Sequence, residues 1–110
     1  MITNNTIDPN LVAAIESSAK MFPSILRVGV FGSHARGEYS PGSDIDILYD
    51  YDDSDIDDML SFVEDMSQRI ENNIDFVAYY LLMEDDMNES EINFRDTVLN
   101  EVVWVYEKKV

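Results

Sequence analysis

The order of the apolar segments limits the fold of this chain more than any other feature. Two segments rich in β-branched and aromatic residues, Ile25–Phe31 and residues 44–51, are predicted strands. Only the run 32–43 separates them, and its Ser-Pro-Gly-Ser sequence is typical of a loop. Strands joined by a short loop pair antiparallel, whereas strands joined through a helix can pair parallel. Further strands are predicted over residues 74–82 and 102–106.

Helical patterns alternate with these strands. Asp8 followed by Pro9 is a typical helix start, and apolar residues at helical spacing predict a helix over residues 9–22. A short helical turn is predicted over residues 33–37, and Ser54 is the expected N-cap of the next helix. The buried stripe predicted for that helix consists of Ile56, Met59, Leu60, Val63, Met66 and Ile70.

An acidic loop over residues 84–91 precedes a shorter predicted helix at 92–100. No internal repeat or linker divides the chain, so residues 1–110 are predicted to form a single domain. The alternation of strands and helices predicts an α/β (α+β) protein with a small mixed β-sheet and helices packed against it.

The charge of the chain restricts its partners. Seven lysines and arginines against 23 aspartates and glutamates give a formal net charge of -16. Because phosphate neutralisation supplies most non-specific affinity for nucleic acid, direct nucleic-acid binding is not expected, and a basic protein partner is favoured. There is no cysteine, no secretory signal and no apolar run of the ~20 residues that a membrane helix needs, so a cytoplasmic protein without membrane contact is predicted.

Asp44 and Asp46 are the first candidates for a functional site. Alternate residues of a strand point to the same face, so the two carboxylates are expected to project together while Ile45 and Ile47 enter the core. Like charges so close repel each other unless a cation lies between them. Carboxylates of this kind suit Mg²⁺, which is often bound by one or two of them together with substrate phosphates.

The turn before the second strand supplies candidates for phosphate binding. Gly32 lacks a Cβ and permits close approach of backbone to a phosphate, and Ser33 offers a hydroxyl at the predicted start of a helical turn. Asp75 lies at the start of the third predicted strand. If that strand lies beside the second, Asp75 completes a cluster of three carboxylates that could bind metal or accept a proton.

These residues resemble a known family. Gly32-Ser33, ten intervening residues and Asp44-x-Asp46 match the GSx10DxD signature of the polymerase-β-like nucleotidyltransferases. The longer run GSHARGEYSPGSDIDI is similar to the minimal nucleotidyltransferase (MNT) branch, known as antitoxin partners of helical HEPN ribonuclease toxins. Residues 74–77 and 94–107 are similar to the third-carboxylate strand and to the C-terminal helix and strand of that branch.

The resemblance implies a polymerase-β palm-like fold and a set of roles. Gly32 and Ser33 would contact nucleotide phosphates, Asp44 and Asp46 would bind Mg²⁺, and Asp75 would be the third catalytic and metal-binding carboxylate. The implied reaction transfers AMP from ATP to a hydroxyl, with a tyrosine of a HEPN-type toxin as the expected acceptor. Two alternatives stay open, namely an antitoxin that neutralises a basic toxin by binding alone, and a transferase for a small molecule such as an aminoglycoside.

Three neighbouring residues carry weaker predictions. Arg36 could bind phosphate or could form an ion pair with nearby carboxylates that orders the loop. His34 is the only histidine and is predicted as a partly exposed residue at the rim of the site. Tyr39 lies in the loop beside the site, where it is a candidate for self-modification.

Overall fold

The computed structural model describes residues 7–109. Its strands are β1 Ile25–Phe31, β2 Ile45–Tyr51, β3 Ile74–Ala78 and β4 Val103–Glu107. Its helices are α1 Pro9–Met21, α2 Ser33–Arg36, α3 Ile56–Arg69 and α4 Glu89–Glu101, with a 3₁₀ helix over Tyr79–Met83. Over the described residues, no helix is both long enough and apolar enough to cross a membrane.

The strands form one mixed sheet in the order β3-β2-β1-β4. β1 pairs antiparallel with β2 and with β4, whereas β2 and β3 pair parallel through the α3 crossover. The predicted mixed sheet with helices packed against it is confirmed.

The two faces of the sheet are covered differently. One face packs against α1 and α3 and carries the larger core, whose fully buried members include Ile15, Val28, Ile47, Phe62 and Met66. The opposite face carries a smaller cluster that includes a residue of α4, and we call it the α4 face. Its buried residues are Phe31, Leu48, Leu82 and Val98.

The start and the buried stripe of α3 differ from the prediction. Asp55, not Ser54, is the N-cap, because its carboxylate accepts a hydrogen bond from the Asp58 amide. The Ser54 amide instead donates to the Asp52 carboxylate in the preceding turn, 3.0 Å away. Ser54 therefore belongs to the turn and not to the helix end.

The predicted stripe of α3 was wrong at two positions and incomplete at a third. Ile56 and Leu60 are 53% and 55% exposed, whereas Phe62 is fully buried. Phe62 packs against the rings of Tyr49 and Phe76, with ring centroids 6.1 and 6.3 Å apart. The aromatic contacts with the sheet thus fix which face of α3 is buried.

Two further element boundaries were predicted incorrectly. β3 ends at Ala78, and the rest of the expected strand is the 3₁₀ helix, in which Leu82 is buried while Leu81 is exposed. α4 begins at Glu89, well inside the predicted acidic loop, because Asn88 caps it. The Asn88 side chain accepts from the Glu91 amide while the Glu91 carboxylate accepts from the Asn88 amide, forming a capping box.

Candidate active site

The structure places two of the predicted carboxylates side by side on one face of the sheet. Ile47 packs in the larger core and Leu48 on the α4 face, so strand alternation places Asp46 on the α4 face. The same reasoning from Phe76 and Val77 places Asp75 there. Asp46 and Asp75 are direct register partners on adjacent parallel strands, whose axes lie ~4.8 Å apart.

Asp44 stands slightly apart from this pair. β2 begins at Ile45, so Asp44 precedes the strand in which it was expected and is exposed to solvent. Its charge nevertheless acts on Asp46. All three predicted carboxylates therefore belong to one electrostatic neighbourhood, with Asp46 at its centre.

The environment of Asp46 favours the protonated form of its carboxyl group. Partial burial raises the pKa of Asp46 first of all, and the negative charges of Asp75 and Asp44 together with a hydrogen bond to Asp75 raise it further. The nearby His34 opposes this shift in the pKa. A cation bound beside these carboxylates would favour the ionised form of Asp46.

Gly32 lies against this carboxylate and has a backbone conformation that only glycine adopts readily. It precedes α2 with φ 73° and ψ -151°. A Cβ at this position would collide with the Asp46 carboxylate, while Phe31 is the register partner of Asp46 on β1. The glycine thus allows the β1–α2 turn to approach the carboxylate pair.

Ser33 and Arg36 occupy the two ends of the short helix α2. The Ser33 carbonyl accepts a hydrogen bond from the Glu38 amide at 2.9 Å, which folds the loop back on the turn. The Arg36 guanidinium donates to the Glu38 carboxylate at 3.1 Å and to both carboxylate oxygens of Glu101 at 3.0 Å. Arg36 therefore forms ion pairs with nearby carboxylates, as one of its two predicted roles requires. Its other predicted role, binding phosphate, stays a prediction.

His34 is not the partly exposed rim residue that was predicted. It is 6% exposed, its ring stacks on Tyr39 with centroids 4.2 Å apart, and its Nε2 lies 3.3 Å from the Ser43 carbonyl oxygen. Because a carbonyl can only accept, the tautomer protonated at Nε2 donates this bond. This hydrogen bond satisfies the buried ring nitrogen. It also holds Ser43, the residue that precedes Asp44.

Asn72 is a positioning residue that the sequence analysis missed. Its side-chain amide donates to the same Ser43 carbonyl at 2.9 Å, and the Ile45 amide donates to the Asn73 carbonyl at 2.9 Å. The turn before β3 thereby holds the segment that carries Asp44. The Asn-Asn turn was visible in the sequence, but the partner of Asn72 lies 29 residues earlier, just before β2, and could not be inferred from spacing.

The donor set fits Mg²⁺, although it is not a complete cage. Among residues 7–109, no three His, Asp or Glu side chains are already grouped closely enough to hold a metal. Mg²⁺ does not require such a cage, because it retains waters and takes ligands from substrate phosphates as well as from carboxylates. The two adjacent carboxylates beside the Gly32 turn could supply the protein's ligands for such a site.

Comparison with known proteins agrees with this geometry. The sequence model of the family described as "Polymerase beta, Nucleotidyltransferase" matches residues 13–109. The protein adenylyltransferase MntA of Thermococcus cleftensis is 32% identical over 105 residues, which cover 96% of this chain and 98% of that protein. The chain therefore belongs to the polymerase-β nucleotidyltransferase family, and the prediction of a nucleotidyltransferase is confirmed.

Solved structures share the fold. One assigned as a minimal nucleotidyltransferase is 25% identical, covers 84% of this chain and 90% of its own, and has a TM-score of 0.63. A toxin–antitoxin complex with AMP-PNP has the same TM-score at 17% identity, with 89% of this chain and 74% of that chain covered. The predicted resemblance to the minimal nucleotidyltransferases is confirmed.

Proposed function

We propose that this chain is a Mg²⁺-dependent antitoxin that transfers AMP from ATP to a tyrosine hydroxyl of a HEPN-type ribonuclease toxin and so neutralises it. The observation that carries the proposal is the opposed pair Asp46 and Asp75 beside the Gly32 turn. Two comparisons support it, since the MntA relative is a protein adenylyltransferase and a toxin–antitoxin complex has the same fold. The toxin class and the tyrosine come from the resemblance of the motif.

The chain's residues take the following roles in this proposal. Gly32 and Ser33 would hold the phosphates of ATP, while Asp44, Asp46 and Asp75 would hold Mg²⁺. Once bound, Mg²⁺ would withdraw charge from the α-phosphate and the leaving pyrophosphate. Asp75, which is exposed, accepts the proton of the acceptor hydroxyl. The hydroxyl oxygen bonds to the α-phosphorus, and the bond from that phosphorus to the bridging oxygen breaks to release pyrophosphate.

The acceptor is supplied by the partner protein. We treat residues 1–110 as one nucleotidyltransferase domain. Asp46 and Asp75 lie on the α4 face of its sheet, so an acceptor must approach them from that face. The net charge of -16 favours a basic partner. An AMP group on a tyrosine near the toxin's ribonuclease site would place an anion where RNA phosphate binds.

The test is intact-mass measurement of the toxin after incubation with this protein, ATP and Mg²⁺. One or more AMP increments are expected with the wild type, and none with the Asp44→Asn/Asp46→Asn variant. The toxin's ribonuclease activity is measured after the two proteins have been separated, because covalent inhibition outlasts dissociation.

Two results would replace the proposal. A toxin that both proteins neutralise without any change in mass would indicate inhibition by binding alone. A toxin that is neither modified nor bound would leave a small-molecule acceptor as the better hypothesis.

A further inference from the structure

An apolar groove opens on the surface formed by β3, the 3₁₀ helix and α4. Its volume is about 420 Å³. Its apolar walls are formed by Val77, Leu81, Leu82, Met87 and Phe94. None of these residues takes part in the reaction described above.

The groove lies on the same face of the sheet as the carboxylate pair. Val77 follows Asp75 by two residues and points to the same side, which places it ~7 Å further along β3. Leu82 belongs to the same buried cluster as Phe31, the register partner of Asp46. A molecule seated in the groove therefore lies within one side-chain length of the candidate active site.

Two adjacent apolar residues of the groove wall are exposed to solvent. Leu81 and Phe94 are 46% and 48% exposed, although the Phe94 ring also contacts Phe31 edge-on at 6.3 Å. Adjacent large apolar side chains left in water are typical of an interaction site.

The charge around the groove selects the kind of partner. Glu84 and Glu91 line it, and among residues 7–109 no lysine or arginine does. Asp85, Asp86 and Glu89 lie in the adjoining segment. Glu91 is held in place by the capping box of α4. Such a rim repels anions, including the triphosphate of a nucleotide, and attracts a basic polypeptide.

We propose that the groove receives an apolar side chain from a basic helical segment of the partner protein and thereby holds the acceptor hydroxyl over Asp46 and Asp75. The role as acceptor rests on the proposed function, whereas docking itself does not. Because the groove and the carboxylates are ~7 Å apart, the anchoring residue and the acceptor would be about one helical turn apart on the partner, a rise of ~5.4 Å.

The test compares two fluorescein-labelled peptides by fluorescence anisotropy without ATP. One is an amphipathic helical peptide of lysine and leucine, and the other has the same lysines with serine in place of leucine. The wild type should bind the leucine peptide at least about tenfold more tightly, because only that peptide can fill the groove with apolar groups. Leu81→Ser, which leaves the charge unchanged, should remove most of this preference. Leu60→Ser is the matched control, since Leu60 is also an exposed leucine but lies on α3, away from the groove.

A second variant tests the contribution of the acidic rim of the groove. Glu84→Gln should weaken the binding of both peptides by a similar factor and reduce its dependence on salt, because it removes charge without changing the apolar wall.

Equal binding of the leucine peptide by wild type and Leu81→Ser would overturn the proposal. Loss of the preference for the leucine peptide in Leu60→Ser would overturn it too. If Leu81→Ser weakens the binding of a fluorescent ATP analogue and leaves peptide binding intact, the groove holds the nucleotide base instead. Absence of AMP transfer to the toxin would refute the proposed function without affecting these peptide measurements.

Discussion

At the scale of single residues, Gly32 and Asp46 depend on each other. Gly32→Ala should destabilise the protein by about 1–3 kcal/mol, because its backbone conformation is nearly restricted to glycine and the new methyl group meets the Asp46 carboxylate. Gly37→Ala is the control, since Gly37 also has positive φ, 74°, but an added Cβ there meets nothing within 4 Å. Urea denaturation measures the stability, and Mg²⁺-ATP binding should be weakened only by Gly32→Ala. If Gly32→Ala and Gly37→Ala lose the same free energy of unfolding, the contact between residue 32 and Asp46 is unimportant.

Asp46 should make the protein less stable as the pH rises. Its pKa in the folded state lies above the ordinary value of 3.8, chiefly because of burial and then because of Asp75 and Asp44. The folded state therefore binds more protons than the unfolded state, so stability falls as pH rises from about 3.8 through the raised pKa. Without divalent metal, Asp46→Asn should have a higher melting temperature than the wild type at neutral pH and a flatter pH dependence. A lower melting temperature for Asp46→Asn across that range would contradict this prediction.

Ser33 and Asp75 should differ in their effect on kinetics. Ser33→Ala removes one hydroxyl from a turn whose backbone amides remain, so a moderate rise in the KM for ATP is expected. Asp75→Asn retains the size of the side chain but cannot accept a proton, so nucleotide binding should largely persist while kcat falls severely. Steady-state transfer assays separate the two effects, and undiminished kcat in Asp75→Asn would assign that residue a structural role only.

The sequence predicts that Asp46 and Asp75 lie together if the second and third strands are neighbours, because the other steps depend on local rules. Strand alternation fixes the face of each aspartate, and the helix between the strands permits the parallel pairing that brings them together. The burial of His34 depends instead on how the loop that carries Tyr39 and Ser43 folds back over it. The ion pair between Arg36 and Glu101 joins residues that are 65 positions apart. Spacing alone contains no information about those contacts.

At the scale of elements, the third strand shows where local propensity misleads. The run IDFVAYYLL is rich in strand-forming residues throughout, yet the strand covers only Ile74–Ala78. Strict alternation fails after Ala78, and the 3₁₀ helix buries Leu82 on the α4 face while leaving Tyr80 and Leu81 exposed. Tertiary packing of one leucine therefore overrides the strand propensity of its neighbours.

The capping box of α4 gives a prediction for a whole element. Asn88→Ala removes the side-chain acceptor for the Glu91 amide and should cost about 1 kcal/mol. Because α4 contributes Val98 to the α4 face and Phe94 to the groove, the same variant should bind the leucine peptide less tightly. Asn88→Asp keeps an acceptor oxygen and should retain near wild-type stability in urea denaturation. If Asn88→Ala proves as stable as Asn88→Asp, the cap does not determine where α4 begins.

At the scale of the whole molecule, the topology was predictable in part. The short connection between β1 and β2 predicts their antiparallel pairing, and the α3 crossover allows the parallel pairing of β2 and β3. The position of β4 beside β1 was not predictable, because the α4 connection could lead to either edge of the sheet. That choice determines where α4 lies, and therefore where the groove opens.

The charge of the whole molecule predicts that nucleotide binding depends on metal. A protein with a net charge of -16 repels ATP, and the carboxylates repel each other, so both obstacles are removed only when Mg²⁺ and ATP bind together. Mg²⁺ with ATP should raise the melting temperature well above the value with either alone, corresponding to about 2.7 kcal/mol when ligand is at a hundredfold excess over Kd.

Asp44→Asn/Asp46→Asn should abolish this gain in thermal stability, because it removes two negative charges and replaces one oxygen of each carboxylate with an NH₂ group that cannot bind a metal ion. Asp53→Asn/Asp57→Asn makes the same change in net charge at exposed positions near the start of α3, and it should retain the gain. Differential scanning fluorimetry over a series of Mg²⁺ and ATP concentrations distinguishes the two variants. A wild type that shows no stabilisation with ATP and any divalent metal would refute the shared site, and equal loss in both double variants would reduce it to an effect of net charge.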